Sequence, residues 1–160
     1  MRGAMLFLAG LFVGLVIEVG TAQNSNPGVV MMNHVGISVP NVDEAVTYYT
    51  QKMGYREAFR VNDDKGQPRL VYMQISKNTF LELQPATSDR PPGLSHFGVV
   101  VENMPAATTM FKERGANVSE IRVSPTKAIL SNVTDPNGVR MELLELPPES
   151  LHFQAMQRWK

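Results

Sequence analysis

One stretch of this chain is written twice. "NHVGISVPNV" at 33–42 and "SHFGVVVENM" at 95–104 each open with a histidine heading an apolar run, with glycine two residues on and asparagine seven residues on. His34 and His96 stand 62 positions apart. A period near 60 residues, repeated only twice, describes a paired module and not a solenoid. Whatever fold forms must accept two near-equivalent halves.

Each copy reads β-α-β-β-β. The opening strand passes into a helix at asparagine. In the first copy Asn41 is the cap, with Glu44 three residues on as in a capping box, and Gly54 ends the helix. Val42, Ala45, Val46, Tyr49 and Met53 form its apolar stripe. In the second copy Asn103 caps, Pro105 sits in the first turn where its missing N–H costs nothing, and Gly115 ends the helix. Met104, Ala107 and Phe111 form that stripe. Three strand-like runs follow each helix: "YREAFRV", "RLVYMQIS" and "TFLELQP", then "NVSEIRV", "KAILSNVT" and "VRMELLEL". The boundaries are 31–85 for the first module, 94–146 for the second and 147–160 for a tail helix.

The last strands also match. Glu82 in "FLEL" and Glu142 in "MELL" are 60 positions apart, each among large apolar residues. Side chains alternate faces along a strand, so His34, Gly36 and Ser38 share one face, and Val35, Ile37 and Val39 share the other, which packs on the helix. A carboxylate in an apolar setting is costly unless it is paired or bound to a metal. Two imidazoles and two carboxylates around one divalent cation remove that cost and sum to zero charge. The metal ligands are thus read as His34, Glu82, His96 and Glu142.

These features resemble the vicinal oxygen chelate superfamily, which includes glyoxalase I, methylmalonyl-CoA epimerase, extradiol dioxygenases and drug-resistance proteins. The resemblance rests on the "HVGI" strand with its Asn-capped helix, "LEL", the second histidine strand and "DPNG" followed by "MEL", and covers roughly 31–146. It implies an α+β fold, two paired βαβββ modules forming a cup-shaped, mostly antiparallel sheet around a metal site. It also implies that each module's first and fourth strands lie side by side, so that His34 neighbours Glu82 and His96 neighbours Glu142. The ion is one divalent metal (Zn, Ni, Co, Mn or Fe). The activity implied is that of a lyase or isomerase moving a proton on a small substrate with adjacent oxygens, with Glu82 or Glu142 as the catalytic base. The alternatives are a ring-cleaving Fe(II) dioxygenase and a non-catalytic binding or resistance protein. The position at which glyoxalase I holds glutathione with arginine is Ser38 here. Ser38, Tyr72, Gln84 and Asn132 are expected to bind substrate, with Arg69 and Lys127 nearby. Such a cup forms within one chain or between two, and a homodimer is the expectation.

Other features bound the reading. The 160 residues carry 15 basic and 15 acidic side chains, which leaves no electrostatic footprint for nucleic acid or an anionic membrane. Cysteine is absent, so disulfides and thiolate metal sites are excluded. Residues 1–22 have a signal-peptide layout: Arg2, an uncharged apolar stretch from Met5 to Ile17, and small residues before a cut at Ala22. They predict export to the periplasm or medium, with an uncleaved anchor as the alternative, followed by a linker at 23–30. In the tail, Leu151, Ala155 and Trp159 predict an amphipathic helix, with His152 on the surface.

Overall fold

The computed structural model describes residues 28–160. The predicted export segment and most of the linker lie outside them. The elements are β1 (Val29–Val39), α1 (Val42–Met53), β2 (Arg56–Asn62), β3 (Pro68–Ser76), β4 (Thr79–Pro85), β5 (Gly93–Val101), α2 (Met104–Glu113), β6 (Asn117–Val118), β7 (Arg122–Val123), β8 (Ile129–Thr134), β9 (Arg140–Glu145) and α3 (Leu151–Gln157). Strand β1 takes in Val29 and Val30, which the sequence reading had placed in the linker. No helix among the described residues is long and apolar enough to cross a membrane.

All nine strands form one sheet in the order β2-β3-β4-β1-β5-β9-β8-β6, with β7 also on β8. The fold is α+β with one curled sheet, as the resemblance implies. The halves correspond strand for strand about the central pair. Strand β1 runs parallel to β4, β5 runs parallel to β9, and β1 meets β5 antiparallel. Both modules of this chain therefore join in one sheet, and the cup is built within one chain.

Helix ends follow the sequence. Asn41 Oδ1 accepts from the Asp43 and Glu44 amides at 3.1 and 3.2 Å, and its Nδ2 donates to Glu44 Oε1 at 2.9 Å. Asn103 Oδ1 accepts from the Ala106 amide at 2.9 Å. Helices α1 and α2 each lay an apolar stripe on the outer face of their own half-sheet. Val42, Ala45, Val46 and Tyr49 meet Val71, Met73, Leu81 and Leu83. Met104, Ala107 and Phe111 meet Val99, Val101 and Leu143. Met53 leaves the predicted stripe: at the last turn of α1 it has run past the sheet and is 48% exposed.

The expected strand "NVSEIRV" is broken into β6 and β7. Ser119 explains the break. Its hydroxyl accepts from the Asn132 amide at 2.9 Å, replacing a ladder partner with a side chain. Truncating the first helix cap, Asn41→Ala, is expected to cost about 1 kcal/mol of stability. Urea unfolding of that variant beside wild type checks the figure.

Candidate metal centre

The register of the central strands decides which side chains meet. On β1, Gly36 lies between Glu82 of β4 and His96 of β5. On β5, Gly98 lies between His34 of β1 and Glu142 of β9. Each row thus reads carboxylate, glycine, imidazole, with the imidazole taken from the other module. The expected neighbours sit on adjacent strands, but each glutamate shares its row with the opposite histidine. A Cβ on Gly36 would overlap the His96 ring, and one on Gly98 the His34 ring. Neither glycine has a positive φ, so the missing side chain and not backbone freedom is what the site requires.

Each ring is held at its far nitrogen. His34 Nδ1 donates to Asn33 Oδ1 at 3.0 Å. Ser95 gives its one hydroxyl proton to the Gly36 carbonyl at 3.0 Å, so its oxygen accepts from Gln84 Nε2 at 2.8 Å and from His96 Nδ1 at 2.8 Å. With both Nδ1 atoms protonated, the neutral rings present bare Nε2 lone pairs to each other across 3.1 Å. Glu82 Oε2 lies 3.4 and 3.3 Å from these two nitrogens, and Glu142 Oε2 lies 3.7 Å from each. One ligand atom from each of the four residues falls within 4.8 Å of the others, and all four residues are buried. Nitrogen and oxygen ligands bind a divalent ion at about 2.0–2.2 Å, which sets facing ligand atoms roughly 4 Å apart. The donor set fits such an ion in spacing, tautomer and charge.

The carboxylates are held differently. Tyr72 donates its hydroxyl to Glu82 Oε2 at 2.5 Å. Arg140 Nη1 reaches Glu142 Oε1 at 2.5 Å, leaving Oε2 toward the histidines. Burial by itself would raise the Glu82 carboxyl, but its close contacts with His96 and His34 and the Tyr72 hydroxyl outweigh burial and bring the pKa to about 2. Burial lowers His34 to about 4, against the pull of Glu82, so the imidazole is neutral near pH 7. Burial first, then the Glu82 charge, raises Tyr72 well above its ordinary value, and it remains a donor.

The predicted substrate residues divide. Tyr72 and Gln84 line a cavity of about 890 Å³ that reaches Glu82 and Glu142, as does Arg69. Tyr72 is already engaged with Glu82, and Gln84 with the Ser95 hydroxyl that holds His96. Ser38 and Asn132 do not line it. Ser38 is sealed between β4 and β5 with its hydroxyl unpartnered. Asn132 is turned to Ser119 and Arg140. Lys127 occupies a turn at φ 62° and is likewise absent from the wall.

Three supports escaped the sequence reading. Asn33 and Ser95 each precede a histidine, as "NH" and "SH", a matched polar pair that the repeat displays. Arg140 stands two residues before Glu142, the spacing that puts both on one strand face. His152 is the clearest correction. Expected on the surface, it is 0% exposed. Helix α3 folds over module one and packs the ring among Phe59, Tyr72 and Phe80, 6.2 Å from the His34 ring. Neither of its nitrogens has a protein partner. Burial takes its pKa down to about 3.

The family model described as "Glyoxalase/Bleomycin resistance protein/Dioxygenase superfamily" matches residues 31–143. A probable lactoylglutathione lyase, chloroplastic, of Arabidopsis thaliana is 28% identical over 134 residues, covering 73% of this chain and 36% of that protein. The chain thus spans about a third of the length of the curated relative it matches. The crystal structure of methylmalonyl-CoA epimerase from Mycobacterium tuberculosis is similar at TM-score 0.68 and 20% identity, over 78% of this chain and 93% of that one. A Streptomyces coelicolor methylmalonyl-CoA epimerase in complex with 2-nitronate-propionyl-CoA is similar at TM-score 0.62 and 18% identity, over 73% and 97% respectively. At these identities the structures report a shared fold.

Two outcomes are expected. Gly98→Ala should displace the His34 ring, costing about 1–3 kcal/mol as an overpacked site and removing metal uptake, checked by elemental analysis and thermal melts. In the metal-free protein, His34 and His152 fold with pKa values near 4 and 3 against 6.5 for the free side chain. Between those limits the unfolded chain binds protons that the folded chain refuses. Stability is therefore full above pH 6.5 and drains as pH falls toward 3. His152→Phe removes one of the two groups and two unpartnered nitrogens, so it should raise stability near pH 7 by about 1 kcal/mol and flatten the acid loss. Unfolding curves at several pH values test both.

Proposed function

The chain belongs to the Glyoxalase/Bleomycin resistance protein/Dioxygenase superfamily, and on that premise we propose that it is a divalent-metal-dependent lyase or isomerase that moves a proton on a small substrate with adjacent oxygens. The observation that carries this reading is the buried group His34, Glu82, His96 and Glu142, with its ligand atoms within 4.8 Å. The lyase and epimerase named among its relatives support an enzyme of this general kind. Nitrogen and oxygen donors without sulfur suit Zn, Ni, Co, Mn or Fe. When bound, such an ion supplies Lewis acidity to a carbonyl oxygen and counters the negative charge that follows proton loss.

The chain's own residues do the rest. Glu142 is the proton carrier: Arg140 anchors one carboxylate oxygen, which leaves Oε2 to take a proton from substrate carbon and return it. Glu82 is the fixed ligand, its Oε2 held by Tyr72. Asn33 and Ser95 keep both imidazoles in the tautomer that leaves Nε2 unprotonated. The depth of the four residues keeps bulk water from competing for the proton. A fourth ligand, Glu82, separates this set from the two-histidine, one-carboxylate arrangement of non-haem iron oxygenases. Ser38 at the position expected for a glutathione-holding arginine favours a different substrate, and the predicted export segment argues against a coenzyme A thioester.

Purified protein is expected to carry about one divalent ion per chain, lost in His34→Ala/His96→Ala with the fold intact by circular dichroism. Glu142→Gln should slow solvent-proton exchange on a panel of hydroxycarbonyl compounds by about 10²–10⁴-fold, read by NMR in D₂O. Wild-type turnover that survives both changes would remove the assignment.

A further inference from the structure

The cavity wall carries more positive charge than its centre uses. Four arginines, Arg69, Arg90, Arg122 and Arg140, face three carboxylates, Glu82, Asp89 and Glu142. That leaves one net positive charge, or three with a divalent ion in place. Arg140 is committed to Glu142. The other arginine ion pairs among the described residues belong to Arg60. Arg69, Arg90 and Arg122 therefore stand on the wall without a carboxylate partner. Asp89, on the same wall, meets only the Ser88 hydroxyl, at 3.4 Å.

Arg90 is the most fixed of the three. It lies in the segment between the modules, where Thr87 and Arg90 exchange backbone hydrogen bonds at 2.9 and 3.2 Å. Its Nη2 donates to the Pro85 carbonyl at 2.8 Å, while its Nε is buried with no protein partner. A guanidinium held at one nitrogen and lacking a carboxylate partner is positioned for an oxyanion. Pro85 lies three residues beyond Glu82 on β4, which places this anchor about 10 Å from the central carboxylate along the strand. Arg69 comes from β3 of module one and Arg122 from β7 of module two, so the arginines of the cavity lining come from both halves of the cup.

We infer that the substrate carries an oxyanion, carboxylate or phosphate, held by Arg69, Arg90 and Arg122 at the rim while its adjacent oxygens sit over His34, Glu82, His96 and Glu142. This rests on the metal-dependent reading above and adds the class of molecule. The two ends are bridged by a short chain. A neutral substrate would leave the surplus positive charge of the wall unmatched.

The test uses cobalt-loaded full-length protein and three hydroxamates whose adjacent oxygens chelate metal: acetohydroxamate, which is neutral, succinomonohydroxamate, which adds a carboxylate, and phosphonoacetohydroxamate, which adds a phosphonate. Binding is read from the visible cobalt spectrum. At least one charged probe is expected to bind about tenfold to a hundredfold more tightly than acetohydroxamate, with the advantage shrinking as salt rises. The tighter of the two identifies carboxylate or phosphate. Arg90→Gln should remove most of that advantage and leave acetohydroxamate binding unchanged. The exposed pair Arg69→Gln/Arg122→Gln serves the same purpose if Arg90→Gln does not fold. Charged and neutral probes binding alike, or an advantage that survives all three substitutions, would overturn the anion assignment alone. Wild-type protein that takes up no cobalt would overturn the metal reading and this inference with it, and cobalt-loaded protein whose spectrum none of the three probes changes would overturn this inference alone.

Discussion

Two imidazole lone pairs held 3.1 Å apart, with two buried carboxylates beside them, are unfavourable unless a cation joins them. Much of the surrounding structure keeps that arrangement in place. Asn33 and Ser95 fix the ring tautomers, Tyr72 and Arg140 fix the carboxylates, and Gln84 fixes Ser95. Removing any one of these frees a ligand to rotate or changes which nitrogen carries the proton. A charged group buried in this way is tolerable only when every partner is present together.

The glycines make the site a property of the whole cup. Gly36 clears space for His96, and Gly98 clears space for His34. Each module supplies the gap that the other module's histidine fills, so neither half forms the site alone. The symmetry stops at the ligands. Glu82 is held by a neutral hydroxyl and Glu142 by a guanidinium, which gives two similar carboxylates different chemical freedom. Helix α3 breaks the symmetry too: Ala155 and Met156 join Tyr72 and Phe80 of module one, while the Leu151 amide at its start donates to the Thr126 carbonyl of module two.

Much was legible because each signal was local and doubled. The His-Gly-Asn spacing, the asparagine caps and the alternating strands all follow from backbone periodicity, and the repeat let each half check the other. What the local pattern did not carry was of another kind. Ser38 and Asn132 lie on the strands where substrate residues were expected, yet neighbouring strands seal one and side-chain hydrogen bonds turn the other away. Met53 kept helical spacing but outran the sheet it should have packed on. His152 has no counterpart in the repeat, so nothing in sequence marked its descent into an aromatic pocket.

By itself the sequence determined the two modules, their helices and strands, and the four residue types suited to a hard or borderline divalent ion. These depend on patterns of 2 and 3.6 residues and on side-chain chemistry, both of which travel with the chain. Only the tertiary structure decided that both modules close into one sheet within one chain, that each glutamate shares a row with the opposite module's histidine, and that Arg69, Arg90 and Arg122 line one cavity. Those outcomes depend on strand register and on which surfaces bury one another across more than sixty residues, and no local pattern carries that information.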